Sequence, residues 1–479
     1  MKLQIDNTDK IIGTINISGA KNAALPIIAE SVFSGETCRI ENIPEISDVR
    51  MMMKILRFIG AEVTTPERGV IVVDPSGIKA DITIPDEMTR KLRASYYLIG
   101  ALLGRYSRAK VALPGGCNFG VRPIDLHIKG FELLGATANV ENAMINATAD
   151  HLTGSPIYMD KVSVGATINV MLAAVKARGL TIIENAAKEP HIVDLANFLN
   201  AMGADVRGAG TDVIKIHGVS NLHGCTYAII PDQIEAGTYM VAAAATGGDV
   251  LVKNVIPKHL ESITAKLLEC GVNVTEYDDS VRVQSDGKFK KINLKTMPHP
   301  GFPTDMQPQM ATLLLMANGV SYVSEGVYEK RFRYVEELQK MGAAIKVDGR
   351  TAVIEGGKPL HGAEVIATDL RAGAALVIAG LMAEGETEIQ NADYILRGYE
   401  NIVEKLKKET EEETPSKNGK GIIEILKMKG VFTSLLSQGL YCSMEFLLGT
   451  WGSTFIVNTL GLSPDTAAMW VSLYYGGIM

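Results

Sequence analysis

A six-fold internal repeat limits the folds open to this chain more than any other feature of its sequence. In each copy a helix-like apolar run is followed by a glycine and then by a strand of alternating β-branched residues. The copies lie about 70 residues apart, and one such unit cannot bury its apolar face alone. The repeat therefore predicts six stacked α/β units, arranged as two domains of three. The repeat glycines are Gly35, Gly104, Gly179, Gly248, Gly319 and Gly385.

A second motif alternates with the first: an amphipathic helix that ends in glycine and leads into another strand. Glycine at this point is typical of a helix C-terminus, where a left-handed residue satisfies the last carbonyl groups. Helix–glycine–strand segments are common in any α/β protein, but their near-constant spacing here favours a true repeat. The five copies are LRFIGAEV (Gly60), FELLGATANV (Gly135), FLNAMGADV (Gly203), LLECGVNV (Gly271) and LQKMGAAI (Gly342).

The sixth copy of the second motif is broken, because Thr410 stands where the helix-ending glycine is expected. Residues 409–429 are charged and turn-prone, which is typical of a linker. Residues 430–479 are apolar, and the stretch from 431 to about 460 is long enough to span a bilayer. Lys420, Lys427 and Lys429 precede it as a cytoplasmic flank would. We therefore expect a truncated sixth unit and an apolar helical tail.

Charge and cysteine usage exclude several classes of function. The net charge of -7 and the 6% aromatic content are unlike those of nucleic-acid-binding proteins, so no nucleic-acid partner is expected. The N-terminus has no apolar core of signal-peptide length, and the five cysteines form no CxxC pair. These features favour a reducing cytoplasm. No metal cluster or cofactor motif is visible, so neither a metal nor a cofactor is expected.

Three glycine-containing loops carry charged or nucleophilic side chains. SGAKNAALP places Lys21 and Asn22 before an apolar helix, where backbone N–H groups would help to bind an anion. PGGCNFGVRPIDLH places Cys117 in a glycine-rich loop close to Arg122. HPGFPTDMQPQM places Asp305 at the head of a helix-like run. Taken singly, each has a structural reading: a surface lysine, an incidental cysteine and an ordinary helix cap.

Four arginines, Arg93, Arg331, Arg371 and Arg397, would each equally pass as solvated surface charges. Together with the three loops, however, they resemble the enolpyruvyl transferases from Met1 to about Lys408. Within that family the resemblance is to the UDP-N-acetylglucosamine 1-carboxyvinyltransferases. It is carried by GAKNAALP, PGGCNFGVRPIDLH, DKVSVGAT, FPTDMQPQ, DLRAG and LRGYENI, in the family's order. The nearest rival, 3-phosphoshikimate 1-carboxyvinyltransferase, is disfavoured by the cysteine loop with RPIDLH.

The resemblance implies an α/β (α+β) fold of two similar domains. Each would hold three βαβαββ-type units, arranged as an inside-out αβ barrel with helices buried at its centre. One domain would span residues 22–229, and the other would join residues 1–21 to residues 230–408. Substrates would bind in the cleft between the domains, which closes on the UDP-sugar.

The resemblance also implies a reaction and the residues that perform it. The enolpyruvyl group of phosphoenolpyruvate would pass to the 3-hydroxyl of UDP-N-acetylglucosamine, with loss of phosphate, in the first committed step of peptidoglycan synthesis. Cys117 would donate a proton and bind phosphoenolpyruvate or fosfomycin covalently, while Asp305 would take the hydroxyl proton. Lys21 and Arg397 would also be catalytic. Phosphoenolpyruvate would contact Lys21, Asn22, Arg122, Arg331, Arg371 and Arg397; the UDP-sugar would contact Arg93, Arg122, Pro123, Ile124, Asp125, Leu126, Lys161, Val162, Ser163, Val164, Asp305 and Val327.

The tail departs from this family. Segments such as EFLLGTWGSTFIVN and WVSLYYGGI loosely resemble a fragment of a major facilitator superfamily transporter. A natural fusion and a joining of two unrelated reading frames would both produce such a chain, and an inactive fusion stays open as an alternative. Loss of the final strand of the sixth unit would leave a sheet edge unpaired, which predicts lowered stability.

Overall fold

The computed structural model describes residues 1–7, 10–113 and 124–411, with side chains as far as residue 406. The predicted tail and most of the predicted linker lie outside these residues. The strands are β1 (Lys2–Ile5), β2 (Ile12–Asn16), β3 (Cys38–Glu41), β4 (Glu62–Glu67), β5 (Val70–Asp74), β6 (Thr83–Ile84), β7 (Arg108–Ala112), β8 (Thr137–Glu141), β9 (Met144–Thr148), β10 (Pro156–Tyr158), β11 (Leu180–Glu184), β12 (Asp205–Arg207), β13 (Val213–His217), β14 (Thr226–Ala228), β15 (Asp249–Lys253), β16 (Asn273–Glu276), β17 (Ser280–Gln284), β18 (Phe289–Lys290), β19 (Asn293–Lys295), β20 (Ala317–Asn318), β21 (Val320–Ser324), β22 (Ile345–Asp348), β23 (Thr351–Glu355), β24 (Glu364–Ile366) and β25 (Thr387–Gln390).

Helices alternate with these strands along the chain. The α-helices are α1 (Lys21–Glu30), α2 (Ser47–Phe58), α3 (Asp86–Thr89), α4 (Tyr97–Tyr106), α5 (Asp125–Leu133), α6 (Val164–Ala174), α7 (Pro190–Ala201), α8 (Gln233–Ala245), α9 (Pro257–Cys270), α10 (Gln307–Leu314), α11 (Val335–Lys340), α12 (Leu370–Met382) and α13 (Ile402–Glu411). Short 3₁₀ turns cover Arg93–Tyr96, Thr304–Met306, Arg331–Tyr334 and Ala392–Arg397.

The six sequence repeats are confirmed as six equivalent strands, each within its own sheet. In five sheets the repeat strand pairs with a parallel edge strand on one side and with an antiparallel hairpin on the other. The strand orders are β14-β3-β5-β4, β6-β7-β9-β8, β10-β11-β13-β12, β2-β15-β17-β16 and β19-β21-β23-β22. The sixth sheet has the order β24-β25-β1.

Six helices, one from each unit, are buried along almost their whole length. Helices α1, α4 and α6 lie in one apolar cluster, which draws its residues from positions 20 to 229. Helices α8, α10 and α12 lie in a second cluster, built from positions 5 to 17 and 234 to 402. Helices that are apolar on every face belong inside a protein core. The division into residues 22–229 and residues 1–21 with 230–408 stays a prediction, which the two clusters support.

The helix-ending glycines behave as the second motif predicts, since all five have a positive φ between 90° and 109°. The repeat glycines of the first motif are less uniform. In the second unit the left-handed residue is Ser107, and in the fourth it is Gly247. Gly104 instead lies inside α4, where a Cβ atom would come within 2.4 Å of the Phe33 ring. Close helix packing requires that glycine.

The sixth unit differs from the others in two ways. Helix α13 continues through Thr410 to Glu411 instead of ending at a glycine. The strand that pairs antiparallel with β25 is β1, from the N-terminus of the chain, with Leu3 opposite Ile389. Within the described residues β1 has no second strand neighbour. The open edge therefore lies on β1, at the point where a final strand would add.

We expect a restored final strand to raise the melting temperature by several degrees. The variant replaces residues from Thr410 onward with a glycine turn and a strand of alternating β-branched residues, which would pair with β1. A gain of about 1–2 kcal/mol in the free energy of unfolding raises the melting temperature by roughly 2–8 °C in a domain of about 200 residues. The control replaces the same residues with a glycine–serine segment of equal length. Equal melting points for the two variants would contradict the prediction.

In the part of the chain that the structure describes, we find no helix with the length and apolar character needed to cross a membrane. The predicted membrane-spanning segment lies outside that part. The described residues also contain no group of three histidine, cysteine, aspartate or glutamate side chains arranged to hold a metal ion.

Candidate active site

Asp305 lies between two buried arginines. Its Oδ1 accepts a hydrogen bond from Nη2 of Arg331 at 3.3 Å, and its Oδ2 accepts one from Nε of Arg371 at 3.2 Å. The Arg331 and Arg371 side chains are 1% and 3% exposed, whereas the Asp305 side chain is 31% exposed. The carboxylate is thus the accessible end of the group. The N-cap residues of the 3₁₀ turn and of α10 are Pro303 and Met306, so Asp305 is not the helix cap that the structural alternative predicted.

The fold positions both arginines through local backbone contacts. Arg331 opens a 3₁₀ turn, and its Nε donates to the carbonyl oxygen of Thr304 at 3.2 Å. Arg371 lies in the first turn of α12, whose N-terminus is capped by the Asp369 carboxylate. Nη1 of Arg371 is buried and has no hydrogen-bond partner among the described residues. A buried guanidinium N–H of this kind is suited to an anionic ligand.

A second ion-pair group joins the two apolar clusters. Asp48, in the first turn of α2, accepts from Nζ of Lys21 at 2.7 Å and from Nε of Arg397 at 2.9 Å. Burial alone would raise the pKa of Asp48, but its two cationic partners hold that pKa below the ordinary value. Lys21 and Arg397 are therefore not solvated surface charges. Sequence reasoning missed Asp48, because an acidic residue in a first helical turn is unremarkable.

Residues 397–399 bring the two groups close together. A Cβ atom on Gly398 would meet Leu370 at 2.8 Å and Cδ of Lys21 at 3.4 Å. The guanidinium of Arg371 lies 5.4 Å from the ring centre of Tyr399, within cation–π range. Lys21 and Arg397 thus lie near Arg371, one of the two arginines that hold Asp305, and a group of cations of this kind is suited to a multiply charged anion.

Two of the segments predicted to contact the UDP-sugar, at Arg93 and at residues 163–164, lie close to each other. The Arg93 guanidinium lies 5.8 Å from the centre of the Tyr96 ring, which in turn meets the His127 ring edge-on at 5.1 Å. The Tyr96 hydroxyl also touches the N-terminus of α6, since a Cβ on Gly165 would lie 2.5 Å from it. Ser163 caps that helix by accepting from Ala166 N. Arg93 and the 163–164 segment are therefore neighbours.

The loop containing Val327 connects this region to Asp305. Glu325 accepts the backbone N–H of Val327 at 2.7 Å with one carboxylate oxygen and the Thr304 hydroxyl at 3.1 Å with the other. Burial raises the pKa of Tyr97 well above its ordinary value, and the nearby Tyr96 and Tyr328 raise it further. Tyr328 follows Val327 directly, and Arg93 also influences the Tyr97 hydroxyl, so the loop lies near the Arg93 region.

The remaining predicted site residues are less informative. Asn22 is the second residue of α1, beside Lys21. Ile124 and Leu126 are half-buried around the exposed Asp125 at the start of α5. Lys161 is exposed, and Val162 is half-buried. Cys117, Arg122 and Pro123 lie outside the described residues.

We expect His127 to make the stability of the fold depend on pH. Burial, and to a lesser degree Arg93, lowers the pKa of His127 from 6.5 to about 3. The unfolded chain therefore binds a proton below pH 6.5 that the folded chain rejects until about pH 3. The contribution of the neutral His127 to the free energy of unfolding is complete above pH 6.5. Below that pH it falls by about 1.4 kcal/mol per pH unit.

This dependence can be measured from denaturant unfolding between pH 4 and pH 7. The variant His127→Gln retains an acceptor for the Asn169 amide, which lies 3.0 Å from the His127 Nδ1, but it does not titrate. We expect a shallower pH slope for it than for the wild type, with the exposed His151→Gln as the matched control. Parallel slopes for all three proteins would contradict the assignment.

Comparisons of the sequence with known proteins point to one family. A family model for EPSP synthase (3-phosphoshikimate 1-carboxyvinyltransferase) matches residues 5–406. The UDP-N-acetylglucosamine 1-carboxyvinyltransferase of Clostridium botulinum is 57% identical over 408 residues, covering 85% of this chain and 97% of the relative. UDP-N-acetylglucosamine 1-carboxyvinyltransferase 3 of Caldanaerobacter subterraneus subsp. tengcongensis is 58% identical over 396 residues, covering 82% and 94%.

Solved structures show the same fold. The enolpyruvyl transferase NikO from Streptomyces tendae shares 27% identity with a TM-score of 0.77, covering 85% of this chain and 97% of that one. An EPSP synthase from Acinetobacter baumannii shares 19% identity with a TM-score of 0.67, covering 85% and 98%, which bears on the fold alone. The predicted mixed α/β fold class is thereby confirmed. From residue 5 to residue 406, this chain belongs to the EPSP synthase family of enolpyruvyl transferases.

Proposed function

We propose that the chain transfers the enolpyruvyl group of phosphoenolpyruvate to the 3-hydroxyl of UDP-N-acetylglucosamine and releases phosphate. The main structural support is the accessible Asp305 carboxylate held between two buried arginines. A carboxylate in this position can accept the hydroxyl proton, while the cations beside it bind the phosphate and carboxylate of the donor. The relatives that are 54–58% identical carry the name of this activity.

The proposed mechanism is an addition followed by an elimination. The sugar hydroxyl loses its proton to Asp305 and attacks C2 of phosphoenolpyruvate, while C3 gains a proton from Cys117. A tetrahedral intermediate forms. C3 then returns a proton to the Cys117 thiolate, the C2–C3 double bond forms again, and the C2–O bond breaks with its electron pair leaving on phosphate. Lys21, Arg331, Arg371 and Arg397 stabilise the anionic donor and the departing phosphate. Arg93 and the segments at 124–126, 161–164 and 327 hold the UDP-sugar.

The substrates would bind between two domains, residues 22–229 and residues 1–21 with 230–408, which close around them. The reaction would take place in the cytoplasm. Tethering to a membrane through residues 430–479 stays a separate prediction. It concerns residues outside the described part, and the proposed chemistry does not need it.

A phosphate-release assay with phosphoenolpyruvate tests the proposal. We expect turnover with UDP-N-acetylglucosamine and none with shikimate 3-phosphate, the acceptor of the rival family member. We also expect fosfomycin and Cys117→Ala each to abolish it. The matched control is Cys270→Ala, because burial raises the pKa of the Cys270 thiol to about 12 and makes it a poor nucleophile. Phosphate release that depends on shikimate 3-phosphate, or that survives both perturbations of Cys117, would overturn the proposal.

A further inference from the structure

The chain crosses between the two apolar clusters twice, at residues 18–20 and 230–232, and the two crossings pair with each other. Gly19 forms an antiparallel bridge with Pro231, Ala20 N donates to Ile230 O at 2.8 Å, and Asp232 N donates to Ser18 O at 2.9 Å. We call these two segments the hinge pair. Lys21 follows directly, and its backbone N–H donates to the Asp232 carboxylate at 3.1 Å. Movement of the hinge pair would therefore move Lys21.

An ion pair between a buried glutamate and a half-buried lysine, outside the predicted site, holds the hinge pair on one side. Glu235, on α8, is 1% exposed, and its Oε1 accepts from Nζ of Lys405, on α13, at 2.6 Å. Its Oε2 accepts the backbone N–H of Ser18 at 2.8 Å. Nζ of Lys405 also donates to the Ser18 hydroxyl at 2.9 Å. Three elements distant in sequence thus meet at Ser18 through a closed ring of contacts.

The ring extends to the first apolar cluster through Glu400. The Glu400 carboxylate accepts from Nη2 of Arg68 at 2.9 Å. Burial opposes ionisation of Glu400, but Arg68 and the nearby Ser18 side chain hold its pKa below the ordinary value. Arg68 lies in the turn between β4 and β5. Ser18 therefore contacts the ion pair directly and lies near the Glu400–Arg68 pair.

Stability alone does not account for an ion pair in this place. Replacing a buried pair with neutral side chains of similar volume is often neutral or stabilising, whereas removing one partner is strongly destabilising. A buried pair can instead specify one geometry, and a ring that closes on a hinge is suited to that role.

We propose that Lys405 and Glu235 are positioning residues, which hold the hinge pair in the register that presents Lys21 to the donor substrate. The inference deepens the proposed function and rests on it for its kinetic readout. It also connects the sixth unit to the reaction, because α13 would serve the site through Lys405 even though the described residues hold no final strand of that unit.

The test is the double variant Glu235→Gln with Lys405→Met, which leaves no uncompensated charge. We expect a melting temperature close to that of the wild type, a roughly 10- to 100-fold loss of kcat/KM carried mainly by a higher KM for phosphoenolpyruvate, and faster amide exchange in residues 16–22. The matched control is Glu355→Gln with Lys358→Met, an exposed ion pair with a 3.0 Å contact. Wild-type kinetics and exchange in a stable double variant would overturn the inference.

Ser18→Ala provides a second test if the double variant fails to fold. It removes only the hydroxyl that accepts from Lys405 and leaves the contact between Lys405 and Glu235 intact. We expect faster exchange in residues 16–22 and a several-fold higher KM for phosphoenolpyruvate; unchanged values would overturn the inference. If the wild type releases no phosphate, the proposed function fails, while the exchange measurement still decides whether the ion pair holds the hinge.

Discussion

The substitution Asp305→Asn is expected to lower kcat by roughly 10²- to 10⁴-fold, the usual contribution of a general base. Asparagine keeps the volume of the side chain but cannot accept the acceptor's hydroxyl proton. Both carboxylate oxygens contact Arg331 or Arg371, so the substitution also removes the counter-charge of two buried guanidinium groups. Those groups would then pair with the anionic donor, and KM for phosphoenolpyruvate should stay level or fall.

A lower kcat with an unchanged or lower KM indicates loss of the base. A variant with a damaged fold would instead lose substrate binding as well as turnover. Steady-state phosphate release measures both constants, and a thermal melt shows whether the variant is folded. Asp286→Asn, in an exposed turn where Oδ1 accepts only the Lys288 N–H, provides the matched control. A kcat within ten-fold of the wild type would mean that Asp305 is not the base.

The second large effect is expected from Arg371→Lys, which keeps the charge and removes the planar fork. Arg371 contacts Asp305 through Nε and Nη2, stacks near Tyr399, and leaves a buried Nη1 without a partner among the described residues. Lysine cannot make these contacts together. A hydrogen bond to a charged group contributes about 1.5–3 kcal/mol, so losing one such bond to the donor should raise its KM roughly 10- to 100-fold.

Donor titrations at saturating UDP-N-acetylglucosamine measure this change. Arg282→Lys is the matched control, because Arg282 also contacts an aspartate through Nε and Nη2, but this pair with Asp249 lies on the exposed face of the antiparallel strands β15 and β17 and includes no predicted site residue. If both lysine variants show the donor KM of the wild type, the guanidinium of Arg371 does not bind the donor.

The sequence could predict those parts of the fold that depend on neighbouring residues. The helix-ending glycines, such as Gly60 and Gly203, were located correctly because a left-handed helix terminus is a property of a few adjacent residues. Where two nearby residues could each adopt the left-handed conformation of a turn, the repeat pattern did not decide which of them does. Ser107 and Gly247 hold the left-handed conformation in place of Gly104 and Gly248, whose roles lie in packing against other elements.

The site residues also fall into two groups, those that the sequence could predict and those that it could not. The loops that carry Lys21, Asn22 and Asp305 were recognisable, because each places its functional side chain in a short continuous segment. Asp48 was not recognisable as the shared partner of Lys21 and Arg397, since it lies 349 residues from Arg397 along the chain. Sequence alone also left open whether each arginine was solvated, a question that burial of Arg331 and Arg371 decides.

By itself, then, the sequence determined the six-fold repeat, the alternation of helix and strand, and the loops that supply the reactive groups. Only the tertiary structure decided which charges are partners: Asp305 with two arginines, Asp48 with a lysine and an arginine, and Glu235 with Lys405. The physical reason is range. Backbone conformation responds to adjacent residues, whereas ion pairs form only after packing has brought distant segments within about 3 Å and removed the water between them.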